Sequence, residues 1–288
     1  MTIQPQAIPP AAALALKPVW IHDLLVLWRR NQPLALLLER ASGYVAQEVR
    51  SEPVRRAYIE AIAALFVERR GIGPQARTLA QNVWASYSRN FTVWEMAPAY
   101  LAHLAARRPR LYELAVRLGQ DSAPGSLVDG EALLHQGAQP PADERQAELE
   151  AALRLLQHFG VLAPARPGRR YRLVKRLAVV PEVFPLLVWC WWEGSPAPCV
   201  ELETFRRSPL FAFLETADFM AGWMARRGKV WRVEQEGEQL LAHIYPADRA
   251  SFVRALLNLL SAGGQRGRQW PRKSDPMEAA QESLTQPE

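Results

Sequence analysis

Six cations stand within eleven residues of this chain. They are Arg166, Arg169, Arg170, Arg172, Lys175 and Arg176, in the stretch "RPGRRYRLVKR", and no acid interrupts them. Guanidinium forks at this density pair with phosphate oxygens or enter a minor groove. Pro167-Gly168 within the run marks a tight turn, and Gly168 allows close approach to another backbone. Alternation along a strand puts Arg170 and Arg172 on one face and Tyr171 and Leu173 on the other. The competing reading is a charged hairpin that keeps a surface soluble.

No other constellation in the chain points to chemistry as directly. A G-x-S-x-G elbow, a Walker loop, G-x-G-x-x-G and H-E-x-x-H are all absent from the sequence. The five histidines, at 22, 103, 135, 158 and 243, form no pair at helical ligand spacing, and there is no C-x-x-C. None of the four lysines stands two residues after a glutamate, as a metal-dependent nuclease pattern would ask. The sequence therefore reads as a protein that is not an enzyme and takes no cofactor and no metal. His158 is expected at the surface.

The formal charge of +6 is unevenly spread. Residues 1–125 carry 15 basic against 9 acidic side chains, residues 126–165 carry 2 against 6, and 166–176 hold six cations and no acid. Both positive regions can attract polyanions. Arginine outnumbers lysine 31 to 4, a codon-usage effect that carries no information about phosphate, but the clustering is independent of it. In the N-terminal part, Arg29-Arg30, Arg55-Arg56, Arg69-Arg70 and Arg107-Arg108 are read in two ways: as complements to helix dipoles, or as one basic surface continuous with the hairpin. The longest apolar run, "FPLLVWCWW" at 184–192, is far short of the roughly 20 residues of a membrane span. The N-terminus has no basic region of the kind that opens a signal peptide, and the chain reads as cytoplasmic. Its two cysteines, Cys190 and Cys199, are then expected to stay thiols, with Cys190 buried among tryptophans.

These residues must be positioned by a mainly α fold with small β-hairpins. The expected organisation is a helical domain over 1–120, a unit over 126–200 that includes the basic run, a helix-hairpin-helix part over 201–262, and a disordered tail over 263–288. The stripes Leu24, Leu27, Trp28 and Ile59, Ile62, Phe66 predict packed helices. "QARTLAQNVWASYSRN" reads as helix, and further helices are expected to open at Pro98 and Pro109. "GQDSAPGS" at 119–126 reads as the linker, and a short helix is expected in "LVDGEALLHQ". Asp143 opens a helix with Leu149, Leu153, Leu156 and Phe159 on one face, and Gly160 ends it. Ser208 to Gly228 reads as one helix. "KVWRVEQEGEQLLAHIYP" predicts a second hairpin, and "DRASFVRALLNLLSAGG" a last amphipathic helix. Trp189, Trp191 and Trp192 are expected in a core or interface, with base stacking as the alternative. The tail segment around Trp270 reads as inert.

An amphipathic helix, then "FGVL", a Pro-Gly turn and "RRYRL", resembles the winged helix-turn-helix superfamily. There the third helix runs into a short strand and a two-stranded wing follows. Asp143 to Phe159 matches the helix, Val161-Leu162 the strand and Arg166 to Lys175 the wing, so the resemblance covers roughly 126–180. It implies nucleic-acid binding most often, and protein contact in a substantial minority. Base readout in this family uses the first turns of the third helix in the major groove. Here those turns carry Asp143, Glu144, Glu148 and Glu150 against Arg145, with Arg154 arriving late. Strong sequence-specific readout is therefore not expected.

The resulting expectation is double-stranded DNA held with weak sequence specificity through Arg166, Arg169, Arg170, Arg172, Lys175 and Arg176, with Arg145 and Arg154 from the helix. The role would be a regulator or an accessory subunit of a DNA-handling or phage-defence assembly, with protein partners. The alternative is a scaffold subunit that binds a larger protein through the winged unit and the apolar 184–192 surface.

Overall fold

The computed structural model describes residues 13–70, 76–79, 81–119, 122–130, 142–165, 169–194 and 196–263. Arg166, Pro167, Gly168 and the tail from 264 onward lie outside the described residues. The fold is mainly helical with small antiparallel sheets, as the sequence predicts, and eleven α-helices occur among the described residues.

Helices α1 (Pro18–Leu27), α2 (Leu34–Ala46) and α3 (Glu52–Phe66) pack pairwise at the N-terminus. The stripe residues Leu24, Trp28, Ile59, Ile62 and Phe66 are all buried. Helix α3 stops at Phe66, and a short hairpin follows: β1 (Arg69–Arg70) pairs with β2 (Arg77–Thr78). The Thr78 hydroxyl donates to the Arg29 carbonyl at 2.7 Å, and its backbone N–H donates to Gln32 at 3.0 Å, tying the hairpin to the end of α1. These bonds take the backbone that the sequence assigned to helix over 75–90, so α4 is only Val83–Ser88.

Helix α5 (Val93–Arg107) is the hub. Its start is set by Thr92, not by Pro98: Thr92 and Glu95 form a capping box, and Pro98 lies inside the helix. Ten consecutive residues from Met96 to Ala105 are buried, which requires neighbours on every side. α1, α6 (Pro109–Leu118) and a later helix, α8 (Phe184–Gly194), supply them. Pro185 sits in the first turn of α8, where its missing N–H is not needed. Trp189, Cys190 and Trp192 are buried, which assigns "FPLLVWCWW" to the core and leaves little of it for a partner or a base.

Helix α7 (Ala142–His158) and the first three-stranded sheet, β3 (Leu127–Asp129), β4 (Leu162–Ala165) and β5 (Arg170–Leu173), lie between these parts in sequence. Of the segment "LVDGEALLHQ", where a short helix is expected, 127–129 form β3 and pair with β5, and 131–136 lie outside the described residues. His158 is half-buried near Ala15 and Leu16 rather than at the surface, and burial lowers its pKa.

The C-terminal part holds β6 (Cys199–Glu201), α9 (Leu202–Arg206), a single 3-10 turn (Pro209–Phe211), α10 (Phe219–Ala225), β7 (Trp231–Glu236), β8 (Gln239–Ile244) and α11 (Arg249–Gly263). The single helix expected from Ser208 to Gly228 is broken in the middle. There Leu177 pairs with Phe213, Leu214 and Glu215, and those hydrogen bonds need extended backbone. One hydrophobic core runs from Leu14 to Leu259 through all these elements. Glu68, Arg249, Glu193 and Arg107 link α5, α8 and α11 at the surface, with contacts of 2.7, 2.8 and 3.1 Å. Among the described residues no helix is long and apolar enough to cross a membrane.

Candidate nucleic-acid interface

The basic hairpin is aimed by the helix before it. Leu149, Leu153, Leu156 and Phe159 are buried and fix the rotation of α7. Gly160, at φ 70°, then ends it: its N–H donates to Gln157 at 2.9 Å, and the Val161 N–H donates back to Leu156 at 2.9 Å. This double closure needs a left-handed residue, a role that favours glycine. The chain leaves directly into β4, which pairs with β5 from Leu162↔Leu173 to Ala165↔Arg170.

β5 is the central strand, with β3 on its other side. Leu173 is buried and Tyr171 half-buried, while Arg170 and Arg172 are exposed, so the alternation read from the sequence holds. Register places Asp129 across from Arg170 and Leu127 across from Arg172. Among the described residues neither Arg170 nor Arg172 forms an ion pair. Lys175 is exposed beyond the strand end.

The other expected contacts have partners within the protein. Arg169 donates to Glu150 at 3.0 Å, and Arg154 reaches the same carboxylate at 3.6 Å. Arg176 points inward, donating to the carbonyls of Ala212 at 3.0 Å and Ser122 at 2.9 Å. Arg145 donates to Glu113 at 3.0 Å. Arg166 lies outside the described residues. A shallow recess of about 130 Å³ opens between α7 and the hairpin, lined by Gly130, Glu150, Leu153, Arg154, Arg169 and Tyr171.

Two glutamates that sequence reading did not single out as partners organise this surface. Glu113 on α6 receives Arg110, Arg117 and Arg145. Burial opposes its ionisation, but the hydrogen bond from Arg110 and the charges of Arg117 and Arg145 outweigh it and hold the carboxyl below the usual range. Glu148 pairs with Arg110 at 3.4 Å. Two of the four acids of α7 thus have arginine partners within the protein. Glu148 is absorbed by α6 and Glu150 by two arginines, while the side chains of Asp143 and Glu144 lie outside the described residues. The signal available in sequence was the i,i+4 spacing of Glu113 with Arg117 and of Glu150 with Arg154.

Comparison with known proteins adds a likeness of fold. No family model matches the chain, and no curated protein matches it. Among solved structures, the magnesium ion-bound crystal structure of SspB superposes with a TM-score of 0.54 at 11% identity, over 93% of this chain and 90% of that one. A second SspB crystal structure superposes with a TM-score of 0.49 at 13% identity, over 91% and 89%. At that identity the first likeness speaks to the path of the chain alone.

Proposed function

We propose that this chain is a non-catalytic DNA-binding protein, a regulator or accessory subunit of a DNA-handling or phage-defence assembly. On this reading it grips the phosphate backbone of duplex DNA through the outer face of the β4–β5 hairpin. The observation that carries the reading is the exposed trio of Arg170, Arg172 and Lys175, which forms no ion pair among the described residues. The two arginines stand on a strand whose other face is anchored by Leu173, and Lys175 follows just beyond its end. The strand order β3-β5-β4, with α7 leading into β4, supports the resemblance to a winged helix. Arg169 and Arg154 are reserve cations that a phosphate would have to draw away from Glu150. Contact with phosphates rather than base edges gives weak sequence specificity.

Replacing Arg170, Arg172 and Lys175 together by Ala tests this. Fluorescence anisotropy on unrelated duplexes across a salt series should show weaker binding to all of them. Each lost contact should flatten the slope of log affinity against log salt by about 0.9. If the triple variant binds as the parent does at every salt concentration, the hairpin is a solvated surface and the scaffold reading replaces this one.

A further inference from the structure

A second cluster of chemistry-bearing side chains lies far along the chain from the basic hairpin. β7 and β8 pair without interruption from Trp231↔Ile244 to Glu236↔Gln239, closed by the two-residue loop Gly237-Glu238. Trp231, Val233, Ala242 and Ile244 are buried, so alternation places Glu234, Glu236 and His243 together on the opposite face. A slip of one residue would expose the indole of Trp231, so the core fixes this register.

The ligand atoms of the three side chains all lie within 4.8 Å of one another. His243 Nε2 is 3.3 Å from a carboxylate oxygen of Glu234 and 3.7 Å from one of Glu236. That nitrogen is closed to solvent and makes no hydrogen bond. A nitrogen closed to solvent, set beside two carboxylates and hydrogen-bonded to neither, is placed as a ligand atom for a cation held between the three groups.

We propose that Glu234, Glu236 and His243 form a binding site for one divalent transition-metal ion of the zinc class. The inference goes beyond the DNA-binding reading and does not depend on it. Mixed imidazole and carboxylate donors suit zinc and its neighbours, whereas magnesium and calcium favour oxygen alone. Bonds of about 2.1 Å in a tetrahedron put ligand atoms roughly 3.4 Å apart, and the two observed separations bracket that figure. Two carboxylates and a neutral imidazole balance a double positive charge. The open side of Glu236 leaves the fourth position to water. The rival cation is Arg232, across from His243 and 3.2 Å from Glu234. It reaches only one of the two carboxylates and none of the imidazole's lone pair. Cys199 lies across from His243 on β6 but is not one of the trio.

The test is metal content after dialysis of the full chain against zinc, with titration calorimetry and a cobalt absorption spectrum. The parent should take up one equivalent at this site, with no thiolate charge-transfer band in the cobalt form. Glu236→Gln and His243→Gln should each weaken binding by at least the roughly 10–100-fold that losing an outer partner of a ligand costs, and Cys199→Ser should leave it unchanged. Glu236 is exposed, so its variant keeps the fold intact even if His243→Gln does not; far-UV circular dichroism checks both. The proposal is overturned if the parent binds less than one equivalent or if Glu236→Gln binds as the parent does. Uptake of magnesium in preference to zinc, or a thiolate band that moves the site to Cys199, would overturn it as well.

Discussion

Among single residues, His103 has the clearest physical consequence. It is buried in α5 between Phe66 and Trp84, with Nε2 3.0 Å from the Leu65 carbonyl and Nδ1 unpartnered. Burial pushes its pKa down to about 4, with Arg107 and Arg249 adding to the effect, so the imidazole enters the fold neutral. The unfolded chain protonates this group near 6.5. Below that value the unfolded state holds more protons than the folded one, and stability falls as pH falls from 6.5 towards 4. The loss from this residue alone comes to roughly 3 kcal/mol at the acid end. Denaturant unfolding followed from pH 7 to pH 4 should show that decline, and His103→Phe should flatten it. An unchanged slope in the variant would assign the acid sensitivity elsewhere, with His22 and His158, both also lowered by burial, as the next candidates.

Among elements, α10 depends on a residue with no side chain. A Cβ on Gly222 would lie 2.4 Å from Cγ of Phe184, a ring held between Phe205, Phe219, Trp223 and Trp231. The ring cannot retreat, so Gly222→Ala should cost about 1–3 kcal/mol through overpacking, read as a lower midpoint in urea at an unchanged slope. Helices with a long periodic face, such as α7 and α11, and hairpins with a turn signal, such as β4–β5 and β7–β8, were legible in the sequence. Strands of two or three residues were not, because β1, β2 and β3 are too short to carry a period of their own, and β3 exists only through a partner distant in sequence. The break between Pro209 and Phe219 was hidden for the same reason: Leu177 imposes it from outside the segment. At the interface, the facing of Arg170 and Arg172 followed from simple alternation. The capture of Arg145 by Glu113 and of Arg169 by Glu150 did not, since the partners are 32 and 19 residues apart and meet only when α6, α7 and the hairpin pack. The trio on β7 and β8 could have been read from the predicted hairpin once its register was written out.

For the whole molecule, the decisive fact is that the N-terminal helices, the α7 sheet unit and the C-terminal sheet share one core. α8 lies at its centre, with Trp189 against Trp84 of α4 and Trp192 against Phe252 of α11. A segment cut from this core exposes the face of its neighbour, so the parts should lose structure together. Scanning calorimetry should therefore show one unfolding peak for the described body. Two resolved peaks would mean that a segment holds a core of its own. The crowding of aromatic rings has an optical consequence as well. Trp223 and Trp231 meet edge to face with centroids 4.8 Å apart, and the Trp231 indole N–H donates to the Trp223 carbonyl at 2.8 Å. Two chromophores fixed at that distance and angle exchange excitation, and their transitions split into a pair of circular-dichroism bands of opposite sign. Such a couplet disappears when the rings part even if every helix survives, so the protein carries an intrinsic spectroscopic gauge of its tertiary packing.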